Sequence, residues 1–185
     1  MATLSAFWLP ILVSAVLVFI ASSIIHMFLP YHRSDYEAVP QEDRVADALR
    51  EAGVTPGQYI IPHAASAQAM KDPEYQTKRQ KGPVAFINVH APGGASMGQN
   101  LMLWFVFLLV VGYFAAYVTG RALSPQSEYL EVFRFAGATA FACYGIGLWP
   151  NAIWYTRAWS SALKSTFDGL VYALLTAGVF GWLWP

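Results

Sequence analysis

Long uncharged runs alternate with short polar turns along most of this chain. Residues 7–29 contain no Asp, Glu, Lys or Arg, and at about 1.5 Å per residue such a helix spans a bilayer with some tilt. Pro10 falls in its first turn, where a missing N–H leaves nothing unpaired, and Pro30 ends it. Residues 101–120 form a second uncharged run, closed by Arg121. A third span is predicted over 129–149. It follows a polar turn in which Ser124 reads as N-cap and Pro125 as the first helical residue, and Pro150 is expected to stop it. The last span is predicted from about 165 to 184, with Ser165 and Asp168 forming an S-x-x-D capping signature. The segment 151–164 mixes Trp154, Tyr155, Arg157 and Trp159, a composition that suits the headgroup level of a membrane.

Polar residues concentrate between the first two runs. Within this region 41–52 has a helical period, with Val45, Leu49 and Ala52 on one face, Pro40 before it and Gly53 after it. Residues 59–61 and 84–89 read as short extended segments. Residues 72–81 form a charged helix or turn, and 91–98, with Pro92, Gly93, Gly94 and Gly98, a flexible approach to the second span. The predicted fold class is therefore an all-α membrane protein. It is a four-transmembrane-helix bundle in which 1–29 supplies the first helix and 30–100 a polar loop subdomain of a short helix plus extended segments. Residues 101–185 supply the three remaining helices and the interfacial segment near 151–164. The first residues carry no Lys or Arg, and the following run is too long for a signal-peptide core, so it reads as a permanent helix.

Composition agrees with a chain solvated largely by lipid: 12% of residues are charged, 56% hydrophobic and 16% aromatic. Zero formal net charge leaves no electrostatic footprint for nucleic acid. A single cysteine, Cys143, excludes an internal disulfide and a cysteine metal cage. Arg33, Arg44, Arg50, Lys71, Lys78, Arg79 and Lys81 of the polar region, with Arg157 and Lys164, fall on one side of a four-span bundle. Arg121 and Arg134 fall on the other. The positive-inside rule then places loop 30–100 in the cytoplasm and both termini on the exterior.

Intramembrane polar residues are costly and mark candidate sites. Glu131 and Arg134 stand at i, i+3 spacing near a helix start, where pairing and snorkelling satisfy them, and Asp168 reads as a cap. All four histidines, His26, His32, His63 and His90, lie on the predicted loop side. A shared metal or haem site is open to them, with Met27, Asp35 and Glu37 nearby in sequence, although no E-x-x-H or H-E-x-x-H spacing preforms one. No P-loop and no Gly-x-Ser-x-Gly elbow is present. The pattern calls for no cofactor and no catalytic residue.

Packing supplies the clearest positive signal. Gly112, Ala116 and Gly120 repeat every four residues in the second span, and Gly169, Ala173, Ala177 and Gly181 do so in the fourth. Such ridges let helices approach closely in lipid, either to close the bundle or to dock a partner helix. The stretch Asp168-Gly169-Leu170-Val171-Tyr172, the end Gly181-Trp182-Leu183-Trp184-Pro185, and His32-Arg33-Ser34-Asp35-Tyr36 after the first span resemble a family of bacterial polytopic inner-membrane proteins without an assigned activity. That resemblance implies an inner-membrane location, which makes the exterior side, and with it both termini, periplasmic. The functional expectation is a non-enzymatic accessory or assembly subunit whose partners are the lipid bilayer and other membrane subunits or further copies of itself. A metal- or haem-binding redox protein is the alternative, and an oligomeric channel or exporter a third reading.

Overall fold

The computed structural model describes residues 4–94 and 96–185. Its elements are α1 (Trp8–Phe28), α2 (Glu42–Glu51), β1 (Gly57–Ile61), α3 (Pro73–Lys81), β2 (Ala85–Val89), α4 (Met97–Ala122), α5 (Tyr129–Tyr144), α6 (Trp149–Trp154) and α7 (Trp159–Trp182), with short 3-10 turns between some of them. The chain divides into two compact units, one of Met1–Tyr36 with Met97–Pro185 and one of Glu37–Ser96.

The first unit is helical. Contacts run from α1 to α4, α4 to α5, α5 to α7 and α7 back to α1, closing a ring of four long helices. Neighbours are antiparallel: Trp104, early in α4, bonds Ser22, late in α1, while Gly120, late in α4, sits against Phe7. Three stretches are long and apolar enough to cross a membrane, Trp8–Phe28, Met97–Ala122 and Tyr129–Trp154. The fourth ring member, α7, has 24 residues, about 36 Å of helix, and carries Lys164 and Asp168 in its first half.

Both predicted ridges of small residues lie inside this ring. A Cβ on Gly112 would lie 3.2 Å from the Ile11 side chain, and one on Gly120 would lie 2.9 Å from the Phe7 ring, so α1 and the turn that leads into it cover the α4 ridge. On α7, a Cβ on Gly169 would lie 2.7 Å from the backbone carbonyl carbon of Tyr144, and one on Gly181 2.6 Å from the Tyr129 ring. Ala116, Ala173 and Ala177 are buried between these points. The ridges thus close the bundle, and the α7 ridge faces α5.

Several boundaries differ from the sequence expectation, each for a local reason. Ser124 does not cap the third helix; residues 124–128 form a turn, and Glu128 caps α5 through a reciprocal capping box with Glu131. Pro150 does not stop a helix but occupies the first turn of α6, where its missing N–H is harmless. The last helix begins at Trp159 rather than near 165, after a bend in which Thr156 has φ 56°. Ser165 and Asp168 therefore lie within the helix, and the S-x-x-D pattern is not its cap.

The second unit holds α2, α3 and a two-stranded antiparallel ladder, Gly57 opposite Val89 through Ile61 opposite Ala85. Asp72 caps α3 by accepting from the Glu74 N–H at 2.7 Å, and Pro73 opens it. None of the described residues between 37 and 94 is buried. Val39, Val45, Ile61, Met70 and Val84 are all more than 40% exposed.

Candidate functional site

Pro30 cannot continue α1 in the way its predecessors do. Leu29 turns to extended geometry and the chain winds into a 3-10 turn over Pro30–Asp35. This elbow lays Tyr31, His32 and Asp35 against the first half of α7. Along α7, Ser161, Lys164, Asp168 and Tyr172 follow at spacings of three, four and four, one face of a helix.

His32 is at the centre of the contacts. Its Nδ1 lies 2.7 Å from Asp35 Oδ2 and its Nε2 2.8 Å from Asp168 Oδ2. The other Asp168 oxygen accepts from the Tyr31 hydroxyl. Asp35 Oδ1 accepts from Lys164 Nζ at 2.9 Å and from Ser161 Oγ at 3.1 Å. Lys164 Nζ also donates to the Tyr31 carbonyl at 2.6 Å and to Ser34 Oγ at 2.8 Å. His26, in the last turn of α1, lies with its ring centroid 4.6 Å from that of His32, and its Nε2 lies 3.4 Å from the Tyr172 hydroxyl. The side chains of His32, Asp35 and Asp168 are only 14%, 9% and 3% exposed, whereas His26 is open to the surroundings.

Burial alone would raise the Asp35 pKa, but hydrogen bonds from His32, Lys164 and Ser161 outweigh it and bring it down to about 2. Burial, and then its bond to the Asp168 carboxylate, push the Tyr31 phenol upward, so it stays a donor. The cluster is held as fixed charges and donors rather than as a flexible polar patch.

Of the four histidines singled out in the sequence, the structure brings His26 and His32 together. Ligand atoms of His26, His32 and Asp168 all lie within 4.8 Å of one another. His63 and His90 belong to the second unit, where His63 lines an open recess with Pro62, Lys78, Lys81 and Pro83. Asp168, read from sequence as a cap, is instead the buried acceptor of the cluster. Glu131 works as a cap, and Arg134 is exposed one turn further along α5. Lys164, Ser161, Tyr31 and Tyr172 were not recognised as site residues. The three-four-four stripe on α7 carried that information, but it becomes visible only once the helix is known to begin at Trp159.

At the opposite end of the bundle, Arg121 stacks over the Tyr117 ring at 5.6 Å, and Trp184 donates to the Ser124 carbonyl at 3.0 Å. No family model, curated protein or solved structure matches the chain.

Proposed function

We propose that the chain is a four-span protein of the bacterial inner membrane that serves as a non-enzymatic accessory or assembly subunit. In this reading the elbow cluster is a clasp that fixes the chain where its polar unit begins, and that unit meets another subunit of the same membrane complex. The observation that carries it is the unit Glu37–Ser96, in which none of the described residues is buried while apolar side chains stand exposed. A two-stranded ladder with no core is marginal by itself, and a partner surface would supply the missing burial.

Assigning α7 as the fourth span rests on the closed ring and on the satisfaction of its polar residues. Lys164 and Asp168 are bound by the elbow, which offsets most of the cost of holding them near lipid. Exposed Trp8, Tyr129 and Trp182 mark one end of the bundle, and Trp149, Trp154 and Trp159 the other, as aromatic girdles do. With the basic residues of the polar unit on the cytoplasmic side, both termini are periplasmic.

Two measurements test this. In a Cys143→Ser background, Ser66→Cys should be labelled only from the cytoplasmic face and Gln126→Cys only from the periplasmic face; the reverse labelling refutes the orientation. The tagged protein, extracted gently from its native membrane, should bring down a second membrane subunit in fixed stoichiometry, identified by mass spectrometry. Recovery of the chain alone in every mild detergent would overturn the accessory reading.

A further inference from the structure

The elbow cluster has an electrostatic shortfall. It holds two carboxylates, Asp35 and Asp168, and one fixed cation, Lys164, whose Nζ is committed to Asp35, Ser34 and the Tyr31 carbonyl. Asp168, 2% exposed, is left with a neutral phenol on one oxygen and His32 Nε2 on the other. A neutral imidazole carries one N–H. With carboxylate oxygens at 2.7 Å and 2.8 Å from its two nitrogens, it serves one of them and turns a lone pair to the other. A positive charge at Nε2, a proton on the ring or a metal ion between Nε2 and Asp168, resolves that conflict. His26, its ring beside that of His32, brings a further nitrogen to the same place.

We propose that His26, His32 and Asp168 bind one divalent transition-metal ion of the zinc type, with Asp35 as the positioning residue that holds His32. The donor set is two imidazoles and one carboxylate, which suits zinc and its neighbours and excludes calcium and magnesium, whose sites are built of oxygen. Three protein ligands leave a fourth position for water. Zinc bonds of about 2.0–2.2 Å in a tetrahedron set ligand atoms about 3.3 Å apart. The 2.8 Å His32–Asp168 contact must therefore open by about half an ångström, and the His26 nitrogen must settle to the same spacing from within 4.8 Å. His26 is exposed, which leaves its ring room to adjust. Asp35 on Nδ1 fixes the tautomer that turns the Nε2 lone pair to the metal, the arrangement that metal-ligating histidines favour. A bound ion would join residue 26 of α1, the elbow and α7. This site does not depend on whether the chain serves as a subunit.

The test is Zn2+ titration of the full-length protein in detergent after chelator treatment, with Co2+ absorption as the spectroscopic check. Wild type should bind one equivalent. His26→Ala and Asp168→Asn should weaken binding by more than about 100-fold, and Asp35→Asn by about 10- to 100-fold. His63→Ala and His90→Ala should bind as wild type does. His26 is exposed and lies outside the Asp168–His32–Asp35 contacts, so its variant keeps the fold readable by circular dichroism. Folded wild type that takes up no equivalent, a His26→Ala protein that binds as well as wild type, or binding lost on His63→Ala or His90→Ala would each overturn the proposal.

Discussion

The two ends of the helical bundle handle their polar residues in opposite ways. At the α4–α5 hairpin, Glu128 and Glu131 form a capping box three residues apart and stay exposed. At the elbow, His32 reaches Asp168 across 136 residues of sequence, and both side chains are largely withdrawn from the surroundings. A charge that caps its own helix end costs little, because water or headgroups still reach it. A buried charge must be matched by donors from other elements, and each of those donors then depends on it. The hairpin end should therefore tolerate change, and the elbow end should not.

The sharpest way to break that contrast is Asp168→Ala. It removes the buried carboxylate that faces His32 Nε2 and accepts from the Tyr31 hydroxyl, and removing one partner of a buried ionic network costs about 3–5 kcal/mol. Thermal unfolding in detergent should fall steeply for this variant. A midpoint near that of wild type would mean the cluster contributes nothing to folding. Next in size is Gly169→Leu, one residue along α7. Its side chain would meet the backbone of Tyr144 and Gly145 rather than a flexible group, so α5 and α7 must separate. Overpacking of this kind costs about 1–3 kcal/mol. The check is the same melt, with disulfide trapping between cysteines placed on α5 and α7 reporting the spacing.

The asymmetry also explains what the sequence revealed. The apolar runs located α1 and α4 to within a few residues, because the absence of charge over twenty positions is a local property. The capping residue Glu128 was missed because Ser124-Pro125 offers the stronger local signature and lies only four positions away. Asp168 was misread for a related reason. Ser165 and Asp168 satisfy a capping pattern, yet Trp159 starts the helix and tertiary contacts claim the carboxylate. The partners of Asp168 could not be read locally, since nothing near residue 168 points to Tyr31 or His32. What was legible was the grouping by side, which placed His26 and Asp168 at the same end of the bundle. Of the four histidines in that grouping, His26 and His32 meet within the helical unit, while His63 and His90 belong to the other unit.

Trp104 offers an intermediate case, a long-range bond at the same end without a charge. Its indole N–H donates to Ser22 Oγ at 2.9 Å, and that hydroxyl in turn donates to the Phe19 carbonyl at 2.9 Å. Trp104→Phe keeps an aromatic ring against Tyr172 and loses only the donor. A neutral hydrogen bond of this type is worth about 0.5–1.5 kcal/mol. Ser22 retains its own acceptor, so the loss should sit in that range. A drop as large as that of Asp168→Ala would show that sequence distance, and not charge, sets the sensitivity of the elbow end.

Glu131 is the matching probe at the hairpin, and its effect should be the smallest. Its carboxylate accepts from the Glu128 N–H at 3.2 Å, completing the capping box. Glutamine supplies the same acceptor oxygen, so Glu131→Gln should melt within about 0.5 kcal/mol of wild type. Glu131→Ala removes the acceptor and should cost about 0.5–1 kcal/mol, the lower part of the range for a lost cap, because water can replace it at this exposed position. The pair separates geometry from charge. If glutamine is as harmful as alanine, the negative charge near the helix N-terminus matters more than the hydrogen bond, and the hairpin end is an electrostatic device after all. If glutamine is silent and alanine is not, that end is held by local hydrogen bonding, and the dependence on distant charges is confined to the elbow.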